Sequence, residues 1–226
     1  MQLATVTQIS LYPVKSVRGW QVSEAEVAPE GLSGDRRWMV VDTDGNAITG
    51  REVGALVQAT ASYAPNGDMI LSHASLGEVQ VTGHPQGGQG VDVTLWGDRV
   101  VGVAPSREAD AWFTQLTGRP CRVVYMPPTS FRSFDGEAPA SDNLVGFADA
   151  FPVLVVSQAS LDQLSRRCSE PMQMARFRPN IVVGGCPPHG EDDWGRIRIG
   201  EALLESTGAC ERCSFVTVHP DSGERH

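Results

Sequence analysis

At 226 residues the chain is long enough for one large domain or two small ones with a real core, and its 41% hydrophobic and 20% charged content is that of an ordinary globular protein. A net charge of -9 argues against a general nucleic-acid binder, which needs a basic surface to displace counterions. It leaves room for a small anionic ligand, because a few clustered arginines hold one inside an acidic protein.

The opening stretch MQLATVTQISLYPVKS lacks the basic start and apolar core of a secretory signal, and no run reaches the ~20 apolar residues of a membrane helix. LATVTQISLY, WQVSEAEVA and RRWMVVD read as strands. Pro13 interrupts the first, Gly19 allows a sharp bend after it, and the turn Asp42–Asn46 makes a hairpin. LVQATASY, DMILS, VDVTLW and RVVGVA are further strands at short spacing. The tract GHPQGGQG is a loop whose glycines do not fit a dinucleotide fingerprint. The first helix is SREADAWFTQLTGRP: Ser106 caps it, Ala109, Trp112, Phe113 and Leu116 share a face, and Gly118 and Pro120 stop it. CRVVYM follows as a strand. The stretch Pro127–Asn143 is rich in turn formers and reads as a linker or active-site loop.

Beyond it, FPVLVVS reads as a buried strand and SQASLDQLSRRC as a helix capped by Ser157 or Ser160. RFRPNIVVGG, a solvated turn at EDDW with Trp194 capping the core, and the strands RIRIGEALLEST and CSFVTV complete the chain. No period repeats, which argues against a solenoid or propeller. The pattern predicts two small β-rich units with a helix apiece.

The five cysteines are odd in number and unevenly spaced, which without a signal peptide points to reduced thiols in a cytoplasm. Cys210 and Cys213 form a C-x-x-C around Arg212, open to four readings. Structural zinc needs two more ligands, and Cys121, Cys168 and Cys186 are scattered. A thioredoxin-like dithiol belongs at the start of a helix, whereas here a strand-like SFVTV follows. Inert core filling is the plainest reading, with Arg212 against it, since a guanidinium is seldom buried without an anion. The fourth is a thiolate that holds a soft metal.

The arginines need the same weighing. GDRRW puts Arg36 and Arg37 on opposite faces at a strand entrance, and ARFRPN puts Arg176 and Arg178 on one face of a segment that Pro179 keeps extended. Lys15 and Ser16 lie beside the interrupting proline. Each alone is most simply a solvated surface group; together they are the donors an anionic ligand needs. EDDW lacks the alternating ligands of a calcium loop, the five histidines make no Ser-His-Asp set, and nothing near Lys15 reads as a pyridoxal phosphate site.

LYPVKS…GLSGDRRWMVVD resembles the N-terminal β-barrel segment of MOSC-domain proteins, a family named after the C-terminal domain of molybdenum cofactor sulfurase. FADAFPVLVVSQASLDQL, RFRPNIVVGG, EDDW…IRIG and ACERCSFVTVHPDSG resemble the MOSC domain itself, in order across almost the whole chain. The branch most similar is the amidoxime-reducing component of mitochondria and its bacterial relatives. The resemblance implies a mainly β (α+β) fold: a MOSC N-terminal β-barrel-like domain over residues 1–126, a linker or active-site loop over 127–143, and a MOSC β-barrel domain with a few short helices over 144–226. Relatives continue with further strands, which implies that the second barrel is incomplete at the C-terminus.

The same resemblance implies a molybdenum cofactor (Mo-molybdopterin) in a positively charged cleft between the domains. Cys213 would be the catalytic thiolate and metal ligand, with Cys210 and Cys186 not ligating. Lys15, Ser16, Arg36, Arg178, Asn180 and Arg212 would contact the cofactor, with Ala150, Phe151 and Glu211 contributing main-chain groups. The implied activity is reduction of the N–O bond of a small N-hydroxylated substrate. Electrons would come from a separate ferredoxin- or cytochrome b5-like donor with its reductase, since the C-x4-C-x2-C run of a fused ferredoxin is absent. The alternative is a cofactor carrier without turnover of its own. Neither nucleic acid nor membrane is an expected partner, and the expected location is cytoplasmic.

Overall fold

The computed structural model of the chain describes residues 4–136, 140 and 143–225. Among these residues the fold is mainly β, with two α-helices. Trp38–Val41 shows why. It is a continuous apolar run, so it has no solvent face to offer and is buried on both sides. Trp38 and Val40 join one core cluster with Leu56, Met69, Leu71 and Phe113. Met39 and Val41 join a second with Leu95, Val124, Met126 and Phe147. Each such side chain contributes about 1.5–3 kcal/mol by leaving water.

That strand is the edge of a four-stranded antiparallel sheet that continues through Arg122–Tyr125, Asp98–Ala104 and Gln89–Leu95. Thr60–Tyr63, Met69–His73 and Gly77–Val81 form a three-stranded meander. The helix Arg107–Thr117 packs on the first core through Ala109, Trp112, Phe113 and Leu116. The Ser106 side chain accepts from the Ala109 N–H, and Gly118 ends the helix at φ 70.

A second four-stranded sheet joins the two ends of the chain. Its order is Val155–Ser157, Ile181–Gly184, Thr5–Leu11, Trp20–Val22. Ile9 faces Ile181 across an antiparallel pair, while Val155–Ser157 runs parallel to Ile181–Gly184. The helix Gln158–Ser165, capped by Ser157, makes that parallel crossover. The chain leaves Thr5–Leu11 and returns beside it at Trp20. Gly19 permits this, because a Cβ there would lie 1.8 Å from the Leu11 carbonyl oxygen.

Four expected strands differ. WQVSEAEVA breaks into Trp20–Val22 and Val27–Ala28, which lie in separate sheets. LVQATASY begins as a 3-10 helix over Gly54–Gln58 and becomes a strand only at Thr60–Tyr63. FPVLVVS is a strand only at Val155–Ser157, and much of it is half-buried. CSFVTV is a 3-10 turn over Ser214–Thr217 despite its β-branched residues. β-propensity expresses fit to a neighbouring strand, and among the described residues Ser214–Thr217 pair with none, Val218 making an isolated bridge with Arg225; the Val216 N–H bonds back to the Cys213 carbonyl instead. RIRIGEALLEST is a hairpin of Arg196–Ile199 with Ala202–Glu205. In the stretch Pro127–Asn143, residues 137–139, 141 and 142 lie outside the described residues. Arg132–Ser133 within it pairs with Leu144–Val145.

Candidate functional site

After Leu11 the chain runs beside the entrance of Trp38–Val41. The Arg36 N–H donates to the Tyr12 carbonyl at 2.8 Å, Trp38 N–H to Pro13 at 3.0 Å, and Lys15 N–H to Trp38 at 2.8 Å. Pro13 has no N–H to offer, so an ordinary ladder ends there and the backbone turns inward. Five non-glycine residues among those described have positive φ: Ser16 at 68, Arg36 at 45, Trp96 at 55, Arg178 at 55 and His189 at 60. The first four belong to one constellation, described below. Left-handed backbone at such residues is disfavoured and persists only where surroundings enforce it.

Tyr12 is the centre of one half. Its ring lies between two guanidinium carbons, Arg36 at 4.4 Å and Arg178 at 4.3 Å. Arg36 is held by three bonds: Nη1 donates to Asp35 at 2.5 Å and to the Asn180 side-chain oxygen at 3.0 Å, and Nη2 to the Arg178 carbonyl at 3.1 Å. Asp35 also accepts the Tyr12 N–H at 2.8 Å. Arg178 differs. Its Nη2 is buried with no acceptor, and it has no carboxylate partner among the described residues. Burial, with Arg36 next to it, pushes its pKa down to about 10, so its charge is kept at a cost. Asn180 is buried and locks strands together: Oδ1 accepts from Leu154 N–H at 3.2 Å and Nδ2 donates to the Ser10 carbonyl at 3.3 Å.

Lys15 is the centre of the other half. Its ammonium is buried, donating to the Phe147 carbonyl at 2.7 Å and to Asp149 at 2.5 Å. Asp149 also takes Arg51 at 2.8 Å and the Trp96 indole N–H at 3.2 Å. Arg51 stacks on Trp96 at 4.3 Å. Arg132, buried, fixes the same loop by donating to the Gly146 and Ala148 carbonyls at 3.2 and 2.8 Å. Burial lowers Lys15 to about 8 against the opposing pull of Asp149. Burial alone raises the Asp149 carboxyl, but Lys15 and Arg51 outweigh it and hold it well below the usual carboxylate range.

That depression has a sign in pH. A carboxyl with a lowered folded pKa contributes stability fully above its unfolded pKa, about pH 4, and loses it as pH falls through the folded value. The difference in unfolding free energy between wild type and Asp149→Asn should therefore be constant near neutrality and shrink towards zero below about pH 4. Denaturant titrations at several pH values measure it, and a difference independent of pH would refute the assignment.

The sequence candidates fall into three places. Lys15, Ser16, Arg36, Arg178 and Asn180 belong to these two halves. Ala150 and Phe151 are exposed on the loop after Asp149, with the Phe151 ring 5.2 Å from Phe134. Glu211, Arg212 and Cys213 lie on the segment before Ser214–Thr217, and Phe215 from that turn lies 5.5 Å from the Arg178 guanidinium. Cys213 is half-buried and Cys210 exposed, whereas Cys186 is buried in an apolar cluster with Ile181 and Val183.

Arg212 is exposed, in line with its weight against inert core filling, and it donates to Cys210 Sγ at 3.1 Å and to the Phe177 carbonyl at 2.8 Å. One inference drawn from local pattern is corrected. Arg176 and Arg178 do not share an extended segment, since Arg176 ends a 3-10 turn, Met174–Arg176, and Arg178 is left-handed. Pro179 bars the right-handed helical region at Arg178, and the Arg36 bond to its carbonyl holds the alternative. Tyr12, Asp35, Asp149, Arg51 and Trp96 escaped the sequence reading. Only the acid within GDRR gave a local signal, as a carboxylate adjoining two arginines.

Among the described residues no group of three or more His, Cys, Asp or Glu side chains is placed to hold a metal by itself, and no helix is long and apolar enough to cross a membrane. Two family descriptions match the chain in tandem: a MOSC N-terminal beta barrel domain over residues 3–120 and a MOSC domain over residues 142–226. The chain belongs to the MOSC family. Among its relatives, the mitochondrial amidoxime-reducing component 1 of Xenopus laevis is 31% identical over 98% of this chain and 68% of its own length. The human component 1 is 34% identical over the same shares. The molybdenum cofactor sulfurase of Oryza sativa subsp. japonica is 29% identical over 96% of this MOSC chain and 28% of its own length.

Proposed function

We propose that this protein binds a molybdenum cofactor through its pterin phosphate and reduces the N–O bond of small N-hydroxylated compounds. The observation that carries the reading is Arg178: a guanidinium held at strained φ, with a buried nitrogen lacking an acceptor, beside an aromatic ring and a second guanidinium. A buried charge in that condition is costly without an anion, and a phosphate is the anion a fork of N–H groups suits best. The relatives named for amidoxime reduction and for the molybdenum cofactor supply the rest of the reading.

Arg178 and Lys15 would hold the anionic part of the cofactor, with Ser16, Asn180 and the main chain at Ala150 and Phe151 bordering it. Arg212 and the Glu211 main chain would border it from the segment that bears the Cys213 thiolate, the protein ligand to molybdenum. When bound, the cofactor supplies a two-electron metal centre, so that an N-hydroxyl group, two electrons and two protons give the N–H product and water. The protein supplies placement: Arg36 and Asp35 fix the Tyr12–Arg178 stack, and Asp149 keeps the Lys15 ammonium in position. Electrons would reach the site from a separate donor protein.

The test has two stages. Protein made in cells that synthesise the cofactor should carry molybdenum near one per chain. It should then reduce an aryl amidoxime when given a chemical electron donor. Molybdenum without turnover would favour a cofactor carrier, and absence of molybdenum would overturn the reading.

A further inference from the structure

The hairpin that joins Gln89–Leu95 to Asp98–Ala104 turns on two residues, Trp96 and Gly97, since Leu95 pairs with Asp98. Both have positive φ, 55 and 96, as in a type I′ turn. Such a turn favours Asn, Asp or Gly at its first position, and an indole there is at odds with the backbone. Packing does not call for it either, because Trp96 is 49% exposed where Trp38 is wholly buried. A residue that breaks a local rule without gaining burial points to a ligand rather than to the core.

The ring is nevertheless held in place. Its N–H donates to Asp149 at 3.2 Å, Arg51 stacks on it at 4.3 Å, and Arg51 bonds to Asp149 in turn at 2.8 Å. With Arg51 already against it, about half of the residue is still open to solvent. Among the described residues the other exposed Trp, Tyr or Phe is Phe151, two residues beyond the same Asp149. The Lys15 ammonium lies 5.5 Å from the Trp96 ring. A Cβ on Gly50, next to Arg51, would lie 2.7 Å from the Phe215 ring, so the turn bearing Arg51 passes against the turn that follows Cys213.

We propose that Trp96 is the specificity-determining face of the substrate site: it stacks the ring of an aryl N-hydroxylated compound, Phe151 borders that ring, and aryl substrates are thereby favoured over alkyl ones. An indole already fixed by Asp149 and Arg51 has little freedom left to lose, so its stacking goes into affinity. An alkyl chain has no π face to return the contact. The inference rests on the reductase reading for its chemistry and gives a role to a side chain which that reading leaves unused.

The full chain carrying molybdenum is assayed with an aryl amidoxime and an alkyl amidoxime of similar size. The aryl-to-alkyl ratio of kcat/KM should fall about three- to tenfold in Trp96→Asn, the scale of one aromatic pair, chiefly through KM for the aryl substrate. Asn suits the turn, so the unfolding midpoint should stay within about 2 °C of wild type. Trp96→Phe keeps a ring without the N–H and should restore most of the ratio; a loss it shares in full would show that the indole acts only through Asp149 and would overturn the proposal. Calorimetric titration of the product-like aryl amidine needs no turnover, and its affinity should fall by the same factor in Trp96→Asn. Trp96-dependent binding in a chain that reduces neither amidoxime would leave the aryl face standing and sink the reductase reading. Turnover whose ratio ignores Trp96, or aryl amidine binding that is absent or unchanged in Trp96→Asn, would do the reverse.

Discussion

Cys213→Ala should lose molybdenum by about 100-fold or more while remaining folded. Removing an outer partner of a metal ligand typically costs 10–100-fold in metal affinity, and removing the ligand itself costs more. The fold should survive because the thiol carries little of it. Cys213 precedes the turn Ser214–Thr217 but makes no side-chain capping bond, and only its carbonyl is used, by the Val216 N–H. The change in unfolding free energy should stay within about 0.5 kcal/mol. Cys210→Ala is the comparison. Its sulfur is exposed and touches Arg212 and the Glu211 carbonyl, so its removal should retain most of the metal. Elemental analysis and denaturant unfolding on both variants make the measurement. Equal loss from both would refute a single protein thiolate.

How far the site could be foreseen depended on whether its determinants were local. The helix Arg107–Thr117 was legible to its last residue, since a Ser cap, a 3.6-residue apolar period and a Gly stop all act within one turn of themselves. The family motifs likewise brought Lys15, Ser16, Arg36, Arg178 and Asn180 into one set. What stayed hidden is what sequence separation hides. Lys15 meets Asp149 across 134 residues, and Arg36 meets Asn180 across 144. Neither pairing has a periodicity to read. The β-branched run SFVTV misled for the same reason, because strand propensity presupposes a partner strand and local composition cannot show one. The left-handed backbone of Arg178 was beyond reach as well, being enforced by a side chain far earlier in the chain.

The acid that makes the cation cluster tolerable is Asp35, and its neutralisation should produce the largest loss of stability. Its side chain is 3% exposed and faces Arg36 at 2.5 Å, with Arg178 across the Tyr12 ring. Asp35→Asn keeps the shape and an oxygen for the Tyr12 N–H, but leaves two half-buried guanidinium groups mutually repelling across the Tyr12 ring. Breaking a buried pair from one side costs about 3–5 kcal/mol. In a chain of this size that lowers the unfolding midpoint by about 10 °C. Glu205→Gln provides the contrast: its partner Arg196 lies 3.5 Å away, but the two side chains are 71% and 72% exposed, so the effect should be within about 1 kcal/mol. Because the Asp35 loss is one of missing negative charge, phosphate should restore part of it by binding the folded state, and chloride at equal ionic strength should not. A midpoint for Asp35→Asn that matches Glu205→Gln, or a rescue that chloride reproduces, would show that the cluster is neutralised by some other means.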